Sequence, residues 1–366
     1  MVNERVETLI QQHFNKVVEK DSHIHNAYLL VHSEKHGIHV HTAKGLTGDM
    51  PAHAQQPYFI ASIGKLFTSI LIGLLVEKGK LTYEDTITAY VDPDVLRDLH
   101  VYKGRDYTND IKIKHLLNHT SGLNCFFEDK PKQGKSMIDL LFEQPSRYWE
   151  PKEVIEWSKE HLTAHFPPEK GFHYSDTGYN ILGLIIERMT GMPLAEALRF
   201  YIFEPLGMSD SYLFRDSLSS DEGEYPLAHL YGRRVNVTDY RSLSVSYAGG
   251  GIISTSEDLL VFMKALVNHE ILSEETISTM KSDKAKFFIG IDYGYGLMNF
   301  KTVPFMMPKR YNAWGNAGST GTFMFYQPDL DTYFIGSLNQ FRYNRKAFRL
   351  LFKLIDIVSK TSHSKI

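Results

Sequence analysis

The segment from Phe59 to Val76 is apolar on nearly every side of the helix it would form, with Ile60, Ile63, Leu66, Phe67, Ile70, Leu71, Ile72, Leu74 and Leu75 leaving no polar face. A helix that is hydrophobic all round has to be enclosed by protein or lipid. This one is shorter than the roughly 20 residues that cross a bilayer, so the rest of the chain must wrap it. Gly79 reads as its stop. Ser62 stands at the entry of this segment and Lys65 one turn further on. Residues three apart share a helix face, which brings amine and hydroxyl together. A serine hydroxyl is a weak nucleophile until a neighbour takes its proton. A lysine does that where apolar surroundings favour the neutral amine. The helix N-terminus adds free N–H groups and a positive dipole end beside Ser62.

The Ser-x-x-Lys spacing alone is a weak signal, because it recurs at Ser278/Lys281 and Ser362/Lys365. The first recurrence lies in a polar helix-like run and the second in the terminal tail, and neither offers an apolar shell.

The chain has 366 residues, more than the roughly 250–300 at which a single core stops growing. A net charge of −3 with no basic block argues against nucleic acid as a partner. One cysteine, Cys125, rules out an internal disulfide and suits a reducing compartment. Residues 1–7 carry acids where a secretion signal would be basic and then apolar. The expectation is a cytoplasmic protein without a membrane segment.

Residues 4–20 show a helical period through Val6, Leu9, Ile10, Phe14, Val17 and Val18. Ala27 to Val31 and Ile38 to His41 read as a hairpin turning at Lys35-His36-Gly37. His23/His25 and His39/His41 have a spacing that can share a metal, but no third ligand follows at a metalloenzyme spacing, so they read as solvent-facing. From there to about residue 285 the pattern is mainly helical with long loops. Residues 124–157 form an aromatic, proline-broken insertion of the kind that can line a pocket. Tyr174 precedes a strong helix, Ile181 to Met189, which Ser175, Asp176 or Thr177 can cap. Gly249-Gly250-Gly251 feeds another helix, with Ser254 and Glu257 at capping-box spacing. No lysine follows these glycines until Lys264, so they are not a phosphate loop.

Strands are expected over Tyr295 to Lys301, Tyr311 to Trp314, Thr322 to Gln327 and Thr332 to Ser337, with a hairpin at Pro328-Asp329-Leu330-Asp331 and a closing helix from Arg345 to Ser359. The fold class is therefore α/β of the α+β kind. One antiparallel sheet is built from both chain ends and flanked by terminal helices, and a large, mainly helical lobe is inserted. The expected division is 1–60 plus 286–366 for the sheet lobe and 61–285 for the helical lobe, with the site in the crevice between them.

These pieces, in this order, resemble the serine β-lactamase and penicillin-binding superfamily, in its branch of class C β-lactamases, DD-carboxypeptidases, D-aminopeptidases and related esterases. The resemblance rests on Ser62 to Lys65, on Leu116-Leu117-Asn118-His119-Thr120-Ser121-Gly122-Leu123 and on the block from Gly250 to Leu259. It implies the β-lactamase/transpeptidase-like fold, Ser62 as acylated nucleophile, Lys65 as its base, and Tyr174 as the proton shuttle to the leaving group. It also implies an oxyanion hole from the backbone N–H groups of Ser62 and Ser319. The family's third motif falls on Asn316-Ala317-Gly318, which makes Asn316 and Gly318, with Asp176, the implied substrate-binding positions.

Two departures bear on substrate. Asp176 stands where the family often has asparagine, and it would repel an anionic group. Asn316 stands where carboxylate-recognising members carry lysine or histidine, with Arg233, Arg234 and Arg241 the loop cations that could replace that charge. The implied activity is metal-free, cofactor-free serine hydrolysis of a small ester, amide or short peptide, with esterase action favoured. The alternatives are a D-amino-acid peptidase or DD-carboxypeptidase, a weak β-lactamase, and a catalytically silent binding or scaffold protein of the same fold. The sequence leaves the oligomeric state open.

Overall fold

The computed structural model describes residues 2–214 and 224–362. Lys365, and with it the Ser362/Lys365 spacing, lies outside them. The chain opens with α1 (Val2–Glu19), β1 (Asn26–Ser33), β2 (Ile38–Thr47) and β3 (Met50–Pro51). The central part contributes α2 (Gly64–Glu77), α3 (Asp176–Thr190), the short α4 (Tyr247–Gly250) and α5 (Ser256–Val267). It closes with β4 (Ala285–Phe288), β5 (Ile291–Tyr293), β6 (Met298–Phe300), β7 (Trp314–Ala317), β8 (Thr322–Gln327), β9 (Thr332–Ser337) and α6 (Asn344–Ser362).

A nine-stranded sheet runs β4-β5-β6-β7-β8-β9-β1-β2-β3. The two chain ends meet where β1 pairs antiparallel with β9, Leu30 opposite Ile335, and on its other side with β2. Side chains alternate across a strand, and β1 is buried on both faces. Ala27, Leu29 and Val31 pack with Ile10 and Phe14 of α1 and Leu351 and Ile355 of α6. Tyr28 and Leu30 join the core around Phe67 and Ile70 of α2 and Ile181 and Ile185 of α3. The all-apolar helix is thus walled in by the sheet on one side and by other helices on the rest.

Several local readings change. β4 and β5 extend the sheet beyond the expected strands, and Tyr311 ends a 3-10 turn, with the strand starting at Trp314. The central part is not purely helical: Ile252–Ser254 pairs with both Tyr58–Phe59 and Tyr212–Leu213. These strands were too short for period-2 alternation to register. The helix after the glycines is capped by Thr255, which accepts from the Asp258 N–H at 3.2 Å, because Ser254 is still in the strand. Among the described residues, no helix is long and apolar enough to cross a membrane.

Asp258 also accepts from the Ser211 hydroxyl at 2.7 Å and the Asp210 N–H at 3.0 Å. Burial outweighs these bonds and pushes its pKa up from 3.8 to about 6. An acid with a raised folded-state pKa stabilises the fold fully below its unfolded value and loses that contribution as pH rises through its folded value. Asp258→Asn removes this dependence. The stability difference between wild type and variant should therefore shift by up to about 3 kcal/mol between about pH 4 and pH 7, read from urea melts at each pH.

Candidate active site

Ser62 sits in a 3-10 turn, Ala61–Ile63, that runs directly into α2. Ala61 before it has φ 47°, a left-handed conformation that costs a non-glycine residue energy and is held by its surroundings. Two close backbone approaches hold it. The end of β7 reaches it at Gly318, where a Cβ would lie 2.7 Å from the Ala61 Cβ and 2.9 Å from the Ile60 carbonyl oxygen. The glycine block reaches it at Gly250, where a Cβ would come within 3.1 Å of the Ala61 carbonyl carbon. Gly318 therefore acts as backbone clearance.

Lys65 is fully buried and its Nζ donates to three acceptors from three elements. These are Ser62 Oγ at 3.4 Å, the Gly249 carbonyl at 2.7 Å, and the Asp176 carboxylate. The expectation of a purely apolar shell does not hold, and Asp176, at the first position of α3, is the lysine's ion-pair partner. It also accepts from the Cys125 thiol at 3.3 Å. Gly249 is the glycine that lets this happen, since a Cβ there would stand 2.8 Å from Asp176 Oδ1. Lys281, of the recurring Ser278/Lys281 spacing, is half-buried: it lies 3.6 Å over the Trp314 ring and burial lowers its pKa to about 8. Ser278, however, faces solvent.

Tyr174 and Ser62 line the same cavity, with the phenol near enough to the serine hydroxyl to be influenced by it. Burial, followed by the nearby Asp176 carboxylate, pushes its phenol well above the ordinary range. The Lys65 amine stands 4.9 Å from the ring centre but does not reverse this. Tyr174 is thus held as the neutral phenol.

The tyrosine is positioned by His119, in the Leu116 to Leu123 block. Its carbonyl accepts from the His173 N–H at 3.0 Å and its Nδ1 accepts from the Ser175 N–H at 3.1 Å, so it brackets Tyr174 on both sides. Its ring lies 4.3 Å from the Tyr174 ring, and burial drives its pKa well down. The next residue, Ser175, caps α3 by accepting from the Gly178 N–H at 3.0 Å.

Asn316 is brought next to Ser62 but not into the pocket. It is fully buried beneath the Ser62 turn, where its amide donates to the Ser62 carbonyl at 3.1 Å and the Gly296 carbonyl at 2.7 Å. It shares the face of β7 that carries Trp314, which points under α2. Ser62, Asp176, Tyr174, Gly318 and Ser319 all line one cavity of about 360 Å³. Its walls are apolar, from Phe127, Leu141 and Phe142 of the aromatic insertion and Phe287, Met298 and Phe341 of the sheet side. Glu128 also lines it, and burial, followed by Asp176, raises its pKa. Of the loop arginines, Arg233 is paired with Asp139 at 2.7 Å and Arg241 stacks over Tyr148. His119 and Gly249 lay inside the sequence blocks already singled out. Cys125 and Glu128 carried no local signal, because a folded insertion brings them in.

The beta-lactamase family pattern matches residues 14–357, and the chain belongs to that family. Penicillin-binding protein 4* of Bacillus subtilis is 28% identical over 274 residues, which are 69% of this chain and 54% of that protein. The chain spans about half the length of such penicillin-binding relatives. The D-amino acid amidase of Ochrobactrum anthropi, solved with D-phenylalanine, superposes with a TM-score of 0.75 at 21% identity, covering 100% of this chain and 99% of that one. EstCE1, a hydrolase with promiscuous acyltransferase activity, superposes at 0.77 with 18% identity, covering 98% and 100%. At these identities the likeness is one of fold.

Two substitutions test this construction. Asn316→Asp keeps the shape but aims a carboxylate at two carbonyl oxygens, and should cost about 1–3 kcal/mol or more in thermal melts. His119→Phe keeps a ring but leaves the Ser175 N–H without an acceptor. In steady-state kinetics on a p-nitrophenyl ester, kcat should fall while KM changes little if the displaced Tyr174 serves the reaction step and not binding.

Proposed function

We propose that this chain is a serine hydrolase that forms an acyl-enzyme on Ser62. The observation that carries the reading is the setting of Ser62: the Lys65 amine donates to its hydroxyl at 3.4 Å, and the Tyr174 phenol lines the same cavity. A serine flanked by a base and a separate proton donor can attack an acyl carbon and release a leaving group.

In this mechanism the Ser62 hydroxyl proton passes to Lys65 as a lysine proton passes to Asp176, so that Asp176 completes the base. Tyr174 gives its phenolic proton to the departing alkoxide or amine and recovers one from the Lys65–Asp176 pair. Water then attacks the acyl-enzyme by the same route in reverse. The backbone N–H groups of Ser62 and Ser319 are the proposed donors to the oxyanion. Asp176 takes a role in proton transfer here, and Asn316 supports the nucleophile turn from below. No metal or cofactor enters any step.

The substrate in this reading is a small ester or amide with an apolar group for the phenylalanine-lined walls. Two pocket carboxylates, Asp176 and Glu128, disfavour a carboxylate-bearing substrate such as a penicillin or a D-Ala-D-Ala terminus. Glu128 favours a second reading, in which an amino-acid amide or ester places its ammonium against that carboxylate. A cytoplasmic setting belongs to the proposal and is supported by the single cysteine.

Ser62→Ala should abolish ester turnover and the adduct seen by intact-mass spectrometry after fluorophosphonate treatment. Asp176→Asn, which keeps volume and removes the proton acceptor, should lower kcat by about 10²-fold or more. Unchanged turnover in Ser62→Ala would end the proposal, and a folded wild type with neither adduct nor turnover would favour the silent binding protein. The amine reading predicts a pH effect of definite sign. Because the Glu128 pKa is raised, KM for an amino-acid amide should fall as pH rises through it. Glu128→Gln should remove that dependence while leaving neutral esters unaffected.

A further inference from the structure

Asp129, His165 and His173 come together beside the pocket without lining it: Asp129 follows the lining residue Glu128 and His173 precedes the lining residue Tyr174. Their ligand atoms all lie within 4.8 Å of one another, the one such group of three among the described residues. His165 Nε2 is 2.8 Å from Asp129 Oδ2, and His173 Nε2 is 3.1 Å from Asp129 Oδ1. The two rings lie face to face with centres 3.5 Å apart. Their side chains are 36%, 23% and 16% exposed for His165, His173 and Asp129, so the cluster opens to solvent without being a loose surface group.

Each member is held from behind. The His165 N–H donates to the Gly122 carbonyl at 2.9 Å and the His173 N–H to the His119 carbonyl at 3.0 Å, which fixes both backbones to the same segment. The Cys125 N–H donates to Asp129 at 2.9 Å, orienting the carboxylate as an outer-shell partner orients a metal ligand. Two imidazoles and one carboxylate form the donor set that suits a borderline divalent ion such as Zn²⁺, with water completing a tetrahedron. Ligand atoms about 2.0–2.1 Å from one such ion stand roughly 3.3 Å from each other; the two histidine–carboxylate spacings are 2.8 and 3.1 Å, and the two imidazole nitrogens lie within 4.8 Å of each other. A small splay of the stacked rings would seat the ion.

We propose that Asp129, His165 and His173 form a binding site for one divalent transition-metal ion of the zinc type. The site is separate from the chemistry at Ser62. An ion there ties the loop that carries Glu128 to the chain that enters α3 through Tyr174, so its effect is to stiffen one wall of the pocket. The proposal does not depend on the reaction assigned to Ser62.

The test uses full-length, untagged protein stripped with a chelator and titrated with ZnCl₂ by calorimetry, with bound zinc counted by elemental analysis after dialysis. The expected result is one equivalent bound by wild type and by Ser62→Ala, with a rise in Tm that saturates at one equivalent. His165→Gln and Asp129→Asn should each weaken binding by tenfold or more. His39→Gln, which breaks the surface pair of His32 and His39 at 3.1 Å, should leave it unchanged. Failure of wild type to bind zinc at micromolar concentration would overturn the proposal, whatever the variants do. Unchanged affinity in His165→Gln, or loss only in His39→Gln, would overturn it equally by placing the ion elsewhere.

Discussion

The structure is organised around one buried amine. Lys65 lies in a helix with no polar face, and taking a charge out of water costs several kcal/mol unless it is paired and hydrogen-bonded. The pairing is supplied from elements far apart in the chain: Ser62 one turn back, the Asp176 carboxylate at the start of α3, and the Gly249 carbonyl in α4. Removing any of these acceptors leaves an amine proton buried without a partner, so the contact joins the stability of the central core to the geometry of the site. The glycines follow from the same requirement. Gly249 lets backbone reach the lysine–aspartate pair, and Gly250 and Gly318 let two separate segments close on Ala61.

The second constraint is the placing of Tyr174. A phenol at the mouth of a helix has several rotamers and a flexible approach, yet here the chain on both sides of it is bonded to a single buried residue, His119. The histidine is kept neutral by burial, which leaves Nδ1 free to accept from the Ser175 N–H. The Ser175 hydroxyl then starts α3. Ser62, Lys65 and Tyr174 are therefore each held by backbone contacts at the ends of helices, where N–H and carbonyl groups are unsatisfied and available. The pocket itself is built differently, from side chains of the insertion and the sheet, and its apolar walls with two carboxylates set what can enter.

Much of this was legible in residue order. The terminal helices, the first hairpin, the last two strands and the all-apolar helix were readable because their hydrophobic periods run long enough to be distinctive. Ser62 and Lys65 were readable because their spacing is local. The strand pairs around Tyr58–Phe59 and Ile252–Ser254 were not, being two and three residues long. Asn316 was legible as a motif position but not as a support beneath the Ser62 turn, because a one-residue step along a strand exchanges pocket for core. Asp176 lines the pocket, but nothing local to it reveals that Lys65, 111 positions away, is its partner.

By itself the sequence determined the longer helices and strands, that both chain ends build one sheet, and that Ser62 and Lys65 lie one turn apart. Those properties depend on periodicity and on contacts a few residues apart. Only the tertiary structure decided that Asp176 and Gly249 complete the lysine's bonds, that His119 brackets Tyr174, that Glu128 enters the pocket and that Asp129 meets two histidines. Such contacts join residues tens to hundreds of positions apart, and the physical reason they escape a linear reading is that burial and distance, which set both charge pairing and pKa, exist only once the chain has closed on itself.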